Sequence, residues 1–587
     1  MDDQRYERSA RACKACHASK MRCDLMTVGA PCTRCQRRGF SSCEPFPSRR
    51  GFQDQNGRAP KRQRKSPGPK EVDARGDGSK KHFNGESWEK IIDLVQKQKS
   101  SKIDKSTLIF LGESSPLYHL LNTQKERGHT ALAGGTSTSE AVSELSEYLQ
   151  LPKRPTLEAL FQSYFETVHP FYPIINRVWF ASLYRESKLP FLLSHAVCFA
   201  ACFHCPMVTI ESGGFGSRAE AKSYFYSRAK YIFDRDYERD KIVVIIACLL
   251  LSFWVGEPGD AWNSRAWVSL ALTMAEDLGM HRTTARANMS TADKCQLRVL
   301  WWCLCSRDLI TSCTLGRPPR VFFGRCNVEP LTERDLDFDT DPGEPIFAYR
   351  KEESAYYHAE ASRLTLLMHD VVMPRLEPKG AGNTGYDNVQ NQWNEFAKWK
   401  RNIPDQVNWD KHGNSMFALC LQIMYLHHTI YIFRPNSISD LSGDDQSLDK
   451  SLSAAAEIVL AANKLSMLSI ARIPQDIFAC LFMAMVVLAL ESKSSESNTS
   501  AGICATQLEI CKHILSQAEG HWDHAVWIIK LFDRLKEPKQ EDPQSEVKEF
   551  PGPLTPALDS YYSDFESSLA DSFVPEANEL YKIIFGN

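Results

Sequence analysis

Six cysteines lie close together near the start of this 587-residue chain. They are Cys13, Cys16, Cys23, Cys32, Cys35 and Cys43, with the spacing C-x2-C-x6-C-x8-C-x2-C-x7-C. Each half of this pattern opens with C-x2-C, a turn that directs two sulfurs at one metal ion, and a third cysteine follows. One zinc ion takes four ligands, so two ions can share six thiolates only if two sulfurs bridge. The spacing therefore predicts a binuclear zinc cluster.

Two other uses of these cysteines have to be weighed. Cys13, Cys16, Cys32 and Cys35 alone have the spacing of an ordinary four-cysteine zinc ribbon, which would leave Cys23 and Cys43 spare. A disulfide framework is disfavoured, since nothing in the sequence suggests secretion. The binuclear interpretation is preferred because Cys23 and Cys43 fall at equivalent places in the two halves.

The residues around the cysteines carry a family resemblance. The run Lys20-Met21-Arg22-Cys23-Asp24 and the run Pro31-Cys32-Thr33-Arg34-Cys35 resemble those of the fungal binuclear zinc cluster transcription regulators. The resemblance implies that Cys13 and Cys32 bridge two zinc ions. It also implies that Lys20 reads base edges in the major groove of a CGG-like half-site and that Arg22 holds phosphate.

This chain departs from the family at two positions, because His17 and Ser19 stand where basic residues are usual. We nevertheless place both in the expected DNA interface. Arg34, Arg37 and Arg38 of the second half complete that interface.

Charge is distributed unevenly along the chain. Residues 8–70 contain 16 Lys and Arg against three acidic residues, whereas residues 537–587 contain 11 Asp and Glu against three Lys. The basic N-terminal part favours binding to nucleic acid, and the acidic C-terminal part favours a different partner. Within the basic stretch, Lys61, Arg62, Arg64 and Lys65 are interpreted as a nuclear localisation signal, with a phosphate contact or a solvated linker as alternatives.

The sequence does not favour a membrane location. The N-terminus is polar and charged, so no signal peptide is expected. The apolar runs Ile242–Val255 and Ile477–Leu490 have 14 residues each, fewer than the ~20 that span a bilayer. Both are therefore predicted to be buried core helices.

Helical periodicity dominates the rest of the chain. Leu157, Leu160, Phe161, Tyr164 and Phe165 follow the i, i+3, i+4 spacing of an amphipathic helix, which His169-Pro170 should end. Further helices are predicted at 191–204, 218–235, 242–255, 261–278, 294–314, 356–372, 415–433, 448–467, 477–492 and 505–519. The fold class is thus mostly α, a small zinc cluster module followed by a large all-α domain. The predicted boundaries are 8–48 for the zinc module, 49–150 for a linker, 151–536 for the helical domain and 537–587 for the tail.

Three segments of the helical domain are similar to the fungal-specific regulatory domain that follows many zinc clusters. They are 166–175 (ETVHPFYPII), 271–282 (ALTMAEDLGMHR), where Gly279 would end a helix, and 298–319 (RVLWWCLCSRDLITSCTLGRPP). The run Cys16-His17-Ala18-Ser19-Lys20 and the segment 326–331 resemble the cutinase and acetamidase regulator branch most.

Other groups of potentially metal-binding or catalytic residues are better interpreted as parts of the apolar core. His195, Cys198, Cys202, His204 and Cys205 crowd one apolar helix, where buried thiols are common and a metal site is disfavoured. His427-His428 is predicted to be a satisfied core pair, and Trp301-Trp302 to be core or pocket lining. The sequence holds no G-x-S-x-G, phosphate-binding glycine loop or H-E-x-x-H motif, so no enzyme is predicted.

These observations predict a nuclear, sequence-specific DNA-binding transcription regulator, most simply an activator of RNA polymerase II genes. The acidic tail, whose segment 561–580 interleaves aromatic residues with acids, is expected to bind coactivators. A homodimer formed through residues 86–99 and a small-molecule effector of the helical domain are further expected partners. The alternative is an α-helical enzyme or ligand-binding protein whose zinc module is purely structural.

Overall fold

A computed structural model of the chain describes residues 12–18, 23–44, 110, 146–254, 260–376, 389–433, 445–494 and 499–535. The chain forms two compact units, Met1–Phe83 and Asn84–Asn587, and each has a core of its own. The described residues contain helices and no β-strand, so the mostly α fold class is confirmed. The basic run 61–65, the segment 86–99 and the tail 537–587 lie outside the described residues.

The N-terminal unit has three short helices around a core of sulfur. Helix α1 is Lys14–Ala18, α2 is Leu25–Val28 and α3 is Thr33–Arg37. The core consists of five buried cysteines and Leu25, with Ala12 and Cys43 packed against it. So few apolar side chains cannot supply the burial that normally holds a domain together, and this unit therefore needs another source of stability.

The second unit is a helical body. Its helices are α4 (Arg154–Ser163), α5 (Arg177–Arg185), α6 (Phe191–Cys202), α7 (Met207–Ser212), α8 (Arg218–Asp234), α9 (Lys241–Leu251), α10 (Ser264–Asp277), α11 (Thr291–Leu315), α12 (Glu352–Arg375), α13 (Val389–Arg401), α14 (Met416–Phe433), α15 (Asp445–Ser469), α16 (Gln475–Ser494), α17 (Thr499–Ala518) and α18 (Ala525–Arg534). One continuous apolar core runs through the body. Consecutive helices pack on one another in most cases, which fits a body of helical hairpins.

The predicted helices are present, with ends that differ by a few residues. Four helices were not predicted, namely α5, α7, α13 and α18. Helix α7 is only six residues long and gives little periodic signal, whereas α13 is amphipathic, with Trp393, Phe396 and Trp399 at helical spacing among polar residues. The first predicted helix continues past α4 as a π-helical turn, Tyr164–Val168, before His169-Pro170 ends it.

Three helices are long and apolar enough to cross a membrane if length and composition alone are considered. They lie at Met416–Phe433, Gln446–Arg472 and Gln475–Ser492, and 83%, 39% and 61% of the respective windows are buried inside the body. The run Ile477–Leu490 lies within the last of these helices, which continues on both sides of it, and most of the run is buried in the core as predicted. The run Ile242–Val255 does form a shorter buried helix, α9.

Candidate metal centre

The N-terminal unit brings all six cysteine sulfurs together. Sγ of Cys13 lies 3.8 Å from Sγ of Cys32 and 3.7 Å from Sγ of Cys35. Sγ of Cys16 lies 3.7 Å from Sγ of Cys32. Four thiolates placed 2.3 Å from a tetrahedral zinc ion are separated by roughly 3.8 Å, so the observed spacing suits zinc.

The six sulfurs divide into two groups of four that share two members. One group is Cys13, Cys16, Cys23 and Cys32, and the other is Cys13, Cys32, Cys35 and Cys43. Within each group, every sulfur lies within 4.8 Å of the others. The shared residues are Cys13 and Cys32, the positions that the family resemblance implied as bridges. A four-cysteine ribbon would leave Cys23 and Cys43 apart from the metal, whereas here each of them completes a group.

The two halves of the module repeat the same local hydrogen bonds. The backbone N–H of Cys13 donates to Sγ of Cys23 (3.3 Å), and that of Cys32 donates to Sγ of Cys43 (3.2 Å). Helices α1 and α3 begin directly after Cys13 and Cys32. The first cysteine of each half therefore stands at a helix start and fixes the third cysteine of the same half.

The pKa values of the two shared thiols and of the unshared Cys16 thiol shift in opposite directions. An N–H bond from Cys35 lowers the pKa of Cys32. Burial raises the pKa of Cys13, but hydrogen bonds from Cys16 and Cys35 outweigh it and lower the pKa overall. Burial and the neighbouring sulfurs raise the pKa of Cys16 to about 12. Because the unshared Cys16 thiol resists deprotonation, a cation is needed to hold all six sulfurs as thiolates.

Polar contacts close the module around the sulfurs. A carboxylate oxygen of Asp24 accepts the N–H of Thr33 (3.0 Å) at the start of α3, and hydrogen bonds from the side chain and then the backbone of Thr33 lower the pKa of Asp24. Nζ of Lys14 lies 2.6 Å from the Glu44 carboxylate, and the Lys14 N–H donates to the Glu44 carbonyl. Asp24 thus joins the two halves, and Lys14 with Glu44 joins the two ends.

The expected DNA contacts are only partly described. Arg37 and Arg38 are exposed at the end of α3, and Arg34 is half-buried on the same helix. His17 belongs to α1, and its side chain lies outside the described residues, as do Ser19, Lys20 and Arg22 in full. The described part of the interface is therefore the cationic end of α3.

The other candidate metal-binding residues, the histidines and cysteines of 195–205, lie in the second unit. His195, Cys198, Cys202 and Cys205 are fully buried there. Nδ1 of His204 hydrogen-bonds the Ala471 carbonyl at 2.7 Å. Among the described residues, the two cysteine groups of the N-terminal unit are the groups whose geometry suits a metal ion.

The histidine pair of α14 differs from its prediction. His427 and His428 are buried as expected, and their Nδ1 atoms are 3.3 Å apart. Nε2 of His428, however, has no hydrogen-bond partner. The prediction of a satisfied pair was therefore wrong for this atom. Trp301 is core and Trp302 lines a cavity, so the prediction for these two residues is confirmed.

Comparison with known proteins shows which domains this chain resembles. Residues 11–51 match the fungal Zn(2)-Cys(6) binuclear cluster domain, a zinc-binding domain. Residues 161–401 match the fungal specific transcription factor domain. Over these two segments the chain is similar to fungal zinc cluster transcription regulators, and the resemblance drawn from its motifs is confirmed.

The relatives of this chain are transcription regulators rather than enzymes. Cutinase transcription factor 1 alpha of Fusarium vanettenii is 27% identical over 483 residues, which cover 71% of this chain and 52% of the relative. The acetamidase regulatory protein of Aspergillus fumigatus is 25% identical over 485 residues, covering 80% and 57%. The chain therefore spans about half the length of these curated relatives. No solved structure shows significant similarity to it.

Proposed function

We propose that this protein is a nuclear transcription regulator that binds CGG-like DNA half-sites through a cluster of two zinc ions. One observation supports this most strongly, namely that the six sulfurs form two four-sulfur groups sharing Cys13 and Cys32. Each group would hold one zinc ion, which offsets most of the negative charge of its thiolates and replaces the missing hydrophobic core. The cations of the module would then face DNA phosphates and bases.

The DNA-binding proposal can be tested with one pair of cysteine variants. Cys32→Ser removes a sulfur shared by both groups, whereas Cys420→Ser removes a buried thiol from α14 in the other unit. The full chain is titrated with a CGG-containing duplex and with a scrambled duplex at fixed salt. We expect Cys32→Ser to lose the preference for CGG and Cys420→Ser to keep it. Equal binding of both duplexes by the unaltered protein would refute the proposal.

The zinc count is a separate question from DNA binding. Elemental analysis of the purified chain should give two zinc ions per molecule. One ion would favour the four-cysteine ribbon, in which Cys23 and Cys43 take no part. Replacing either of these two cysteines by Ser separates the models further, because only the binuclear cluster would lose metal.

Nuclear location is proposed from the class of the protein and from the basic run of Lys61, Arg62, Arg64 and Lys65. Changing these four residues to Ala should leave a fluorescent fusion of the full chain in the cytoplasm. Unchanged nuclear accumulation would reassign the run to a phosphate contact or to a linker.

Activation is proposed from the composition of the tail. Residues 561–580 alternate acidic and serine residues with Tyr562, Phe565, Leu569 and Phe573. Coactivators would contact the aromatic side chains, while the acids keep the segment solvated. Deleting 555–587 should lower reporter expression and leave DNA binding intact. Full activation by the truncated protein would exclude this role.

Two further partners complete the proposal. A homodimer through 86–99 is proposed from the apolar face of Trp88, Ile91, Ile92 and Val95. Light scattering of the full chain and of the variant Ile92→Asp would test it, since only a dimer built on this face would dissociate. A small-molecule effector of the helical domain is the second partner, and the cavity described below is its candidate site.

A further inference from the structure

A cavity of about 60 Å³ lies inside the helical body. Helices α11, α12, α14 and α16 form its walls, which are mostly apolar and aromatic and include Phe171, Trp302, Leu309, Tyr357 and Ile477. One water molecule needs roughly 10–15 Å³ of such space, so the cavity has room for about four atoms of that size. Its volume suits a small organic molecule better than a drug-sized one.

The charged residues at this cavity are already paired. Asp476 is bonded by the hydroxyl of Tyr172 and by the guanidinium of Arg307. Arg307 also donates to the carbonyl oxygen of Ser252 at 2.9 Å. Among the described lining residues, no charge is left for a ligand, and an ionic ligand would therefore lose its hydration without gaining a counter-ion.

Other polar groups on the wall are also satisfied. The hydroxyl of Ser362 donates to the Ala359 carbonyl and accepts the N–H of Leu331. The hydroxyl of Thr365 donates to the carbonyl of Ala361 at 2.8 Å. These side chains have their partners within the protein and do not call for a ligand.

Two of the residues that line the cavity carry a poorly satisfied polar group. Nε2 of His428 is buried without a partner, and the whole residue is only 4% exposed. The Tyr357 hydroxyl donates only to Sδ of Met424, 3.6 Å away, and a thioether is a weak acceptor. A buried polar atom without a partner is costly, so a ligand that bonds His428 would gain what the protein alone lacks.

The His428 tautomer decides what such a ligand must offer. Nδ1 of His428 faces Nδ1 of His427 at 3.3 Å, and either atom can be the donor. If His428 donates, its Nε2 is an acceptor; if His427 donates, Nε2 of His428 carries the proton. A hydroxyl group can donate or accept and therefore fits both arrangements. Burial, and then the neighbouring His427, holds the pKa of His428 well below its usual range, so the ring is neutral at pH 7.

We propose that this cavity is a binding site for a small uncharged aliphatic alcohol of about four non-hydrogen atoms, with its hydroxyl on Nε2 of His428 and its chain against the apolar wall. Four helices far apart in sequence meet at this point, so an occupant would contact all of them. Its action as an effector rests on the proposed function, whereas binding itself does not.

Binding can be measured on the full chain with 1-propanol as the probe, by saturation-transfer NMR. Four non-hydrogen atoms limit the dissociation constant to no tighter than roughly 0.05 mM, so millimolar probe concentrations are needed. We expect saturable binding at one site. Propionate, which has a similar chain and a charge, should compete at least tenfold less well.

Three variants locate the site. His428→Phe removes Nε2 and fills the cavity, and Ala361→Leu fills it from α12 while keeping His428. Both should weaken 1-propanol binding at least tenfold. His412→Phe makes the same chemical change at an exposed histidine and should leave binding unchanged. Circular dichroism checks that each variant is folded.

Several results would overturn the proposal. They are the absence of saturable 1-propanol binding, equal competition by propionate, and unchanged binding in folded His428→Phe. If both cavity variants fail to fold, the comparison of 1-propanol with propionate on the unaltered protein still decides. A CGG-binding titration of the same preparation is independent, so failure of the proposed function would be seen separately.

Discussion

Single residues of the zinc module should differ in what they contribute to DNA binding, even when they carry the same charge. Lys20 and Arg22 are both cations placed by the family resemblance at the DNA interface. A lysine facing base edges can donate to O6 and N7 of guanine, whereas an arginine on phosphate carries no sequence information. The two side chains are therefore expected to respond differently to sequence and to salt.

We predict that Lys20→Ala lowers the specific affinity by about 1–3 kcal/mol and relaxes the preference for CGG. Arg22→Ala should instead weaken binding to all sequences alike and reduce the slope of log K against log[salt] by roughly 1. Titration of the full-length variants with CGG and scrambled duplexes at several salt concentrations measures both effects. An unchanged ratio of specific to non-specific affinity in Lys20→Ala would make that residue a phosphate contact.

At the level of single residues, some contacts could be predicted from the sequence and others could not. The cysteine spacing was sufficient to anticipate that two sulfurs are shared, whereas the family resemblance indicated which two, Cys13 and Cys32. The bond of Asp24 to Thr33 was not anticipated, although both residues lie inside the motif. The group of Tyr172, Arg307 and Asp476 could not be found from spacing, since Tyr172 and Asp476 are 304 residues apart in sequence. Only packing of the body brings them together.

At the level of elements, the end of α10 shows how a glycine can serve two purposes. Gly279 follows the helix with φ of +72°, and the helix-ending role expected of it agrees with this geometry. Phe110, from the connector, lies over the same glycine, and its N–H donates to the Asp277 carbonyl at 2.9 Å. A Cβ atom on Gly279 would come within 2.9 Å of the Phe110 side chain.

We predict that Gly279→Ala destabilises the body by more than its backbone strain alone. Gly343→Ala is the matched control, because Gly343 has φ of +81° and open space around its Cβ position. The control should lose about 1–2 kcal/mol for the left-handed backbone. Gly279→Ala should lose a further ~1–3 kcal/mol through the clash with Phe110. Urea unfolding of the full chain measures both changes.

A double variant tests the cause of that difference. Removing the ring in Phe110→Ala should eliminate the clash, so that adding Gly279→Ala to it costs no more than Gly343→Ala does. If Gly279→Ala is equally harmful with and without Phe110, the contact is unimportant.

The elements were predictable to the extent that each forms its own pattern. Helices α6, α9 and α14 are apolar along their whole length, so composition revealed them, although it could not say which neighbours they meet. Helix α13 was missed because only Trp393, Phe396 and Trp399 mark its buried side among polar residues. The cavity is a product of assembly, since no single helix contains it.

For the molecule as a whole, buried histidines should set the response of the body to acid. Burial lowers the pKa of His169, His204 and His358 to about 4 in each case. Each bonds a backbone carbonyl, that of Ile175, Ala471 and Pro170 respectively, and His358 lies near His169. All three are therefore neutral in the folded protein at pH 7.

We predict that the body loses stability as the pH falls from 7 to 5. An exposed histidine in the unfolded chain has a pKa near 6.5. Between that value and 4, the unfolded state binds more protons than the folded state, so acid favours unfolding. The stabilisation by the neutral histidines is complete above about pH 6.5, and by pH 5 each of the three should have lowered the free energy of unfolding by about 2 kcal/mol.

The variant His358→Gln keeps a donor for the Pro170 carbonyl but does not titrate, so it should reduce the loss of stability by about one histidine's share. His412→Gln, at an exposed position, should leave the loss unchanged. Urea unfolding at pH 7 and pH 5 provides the measurement, and an equal loss in His358→Gln and the unaltered protein would show that His358 does not titrate on unfolding.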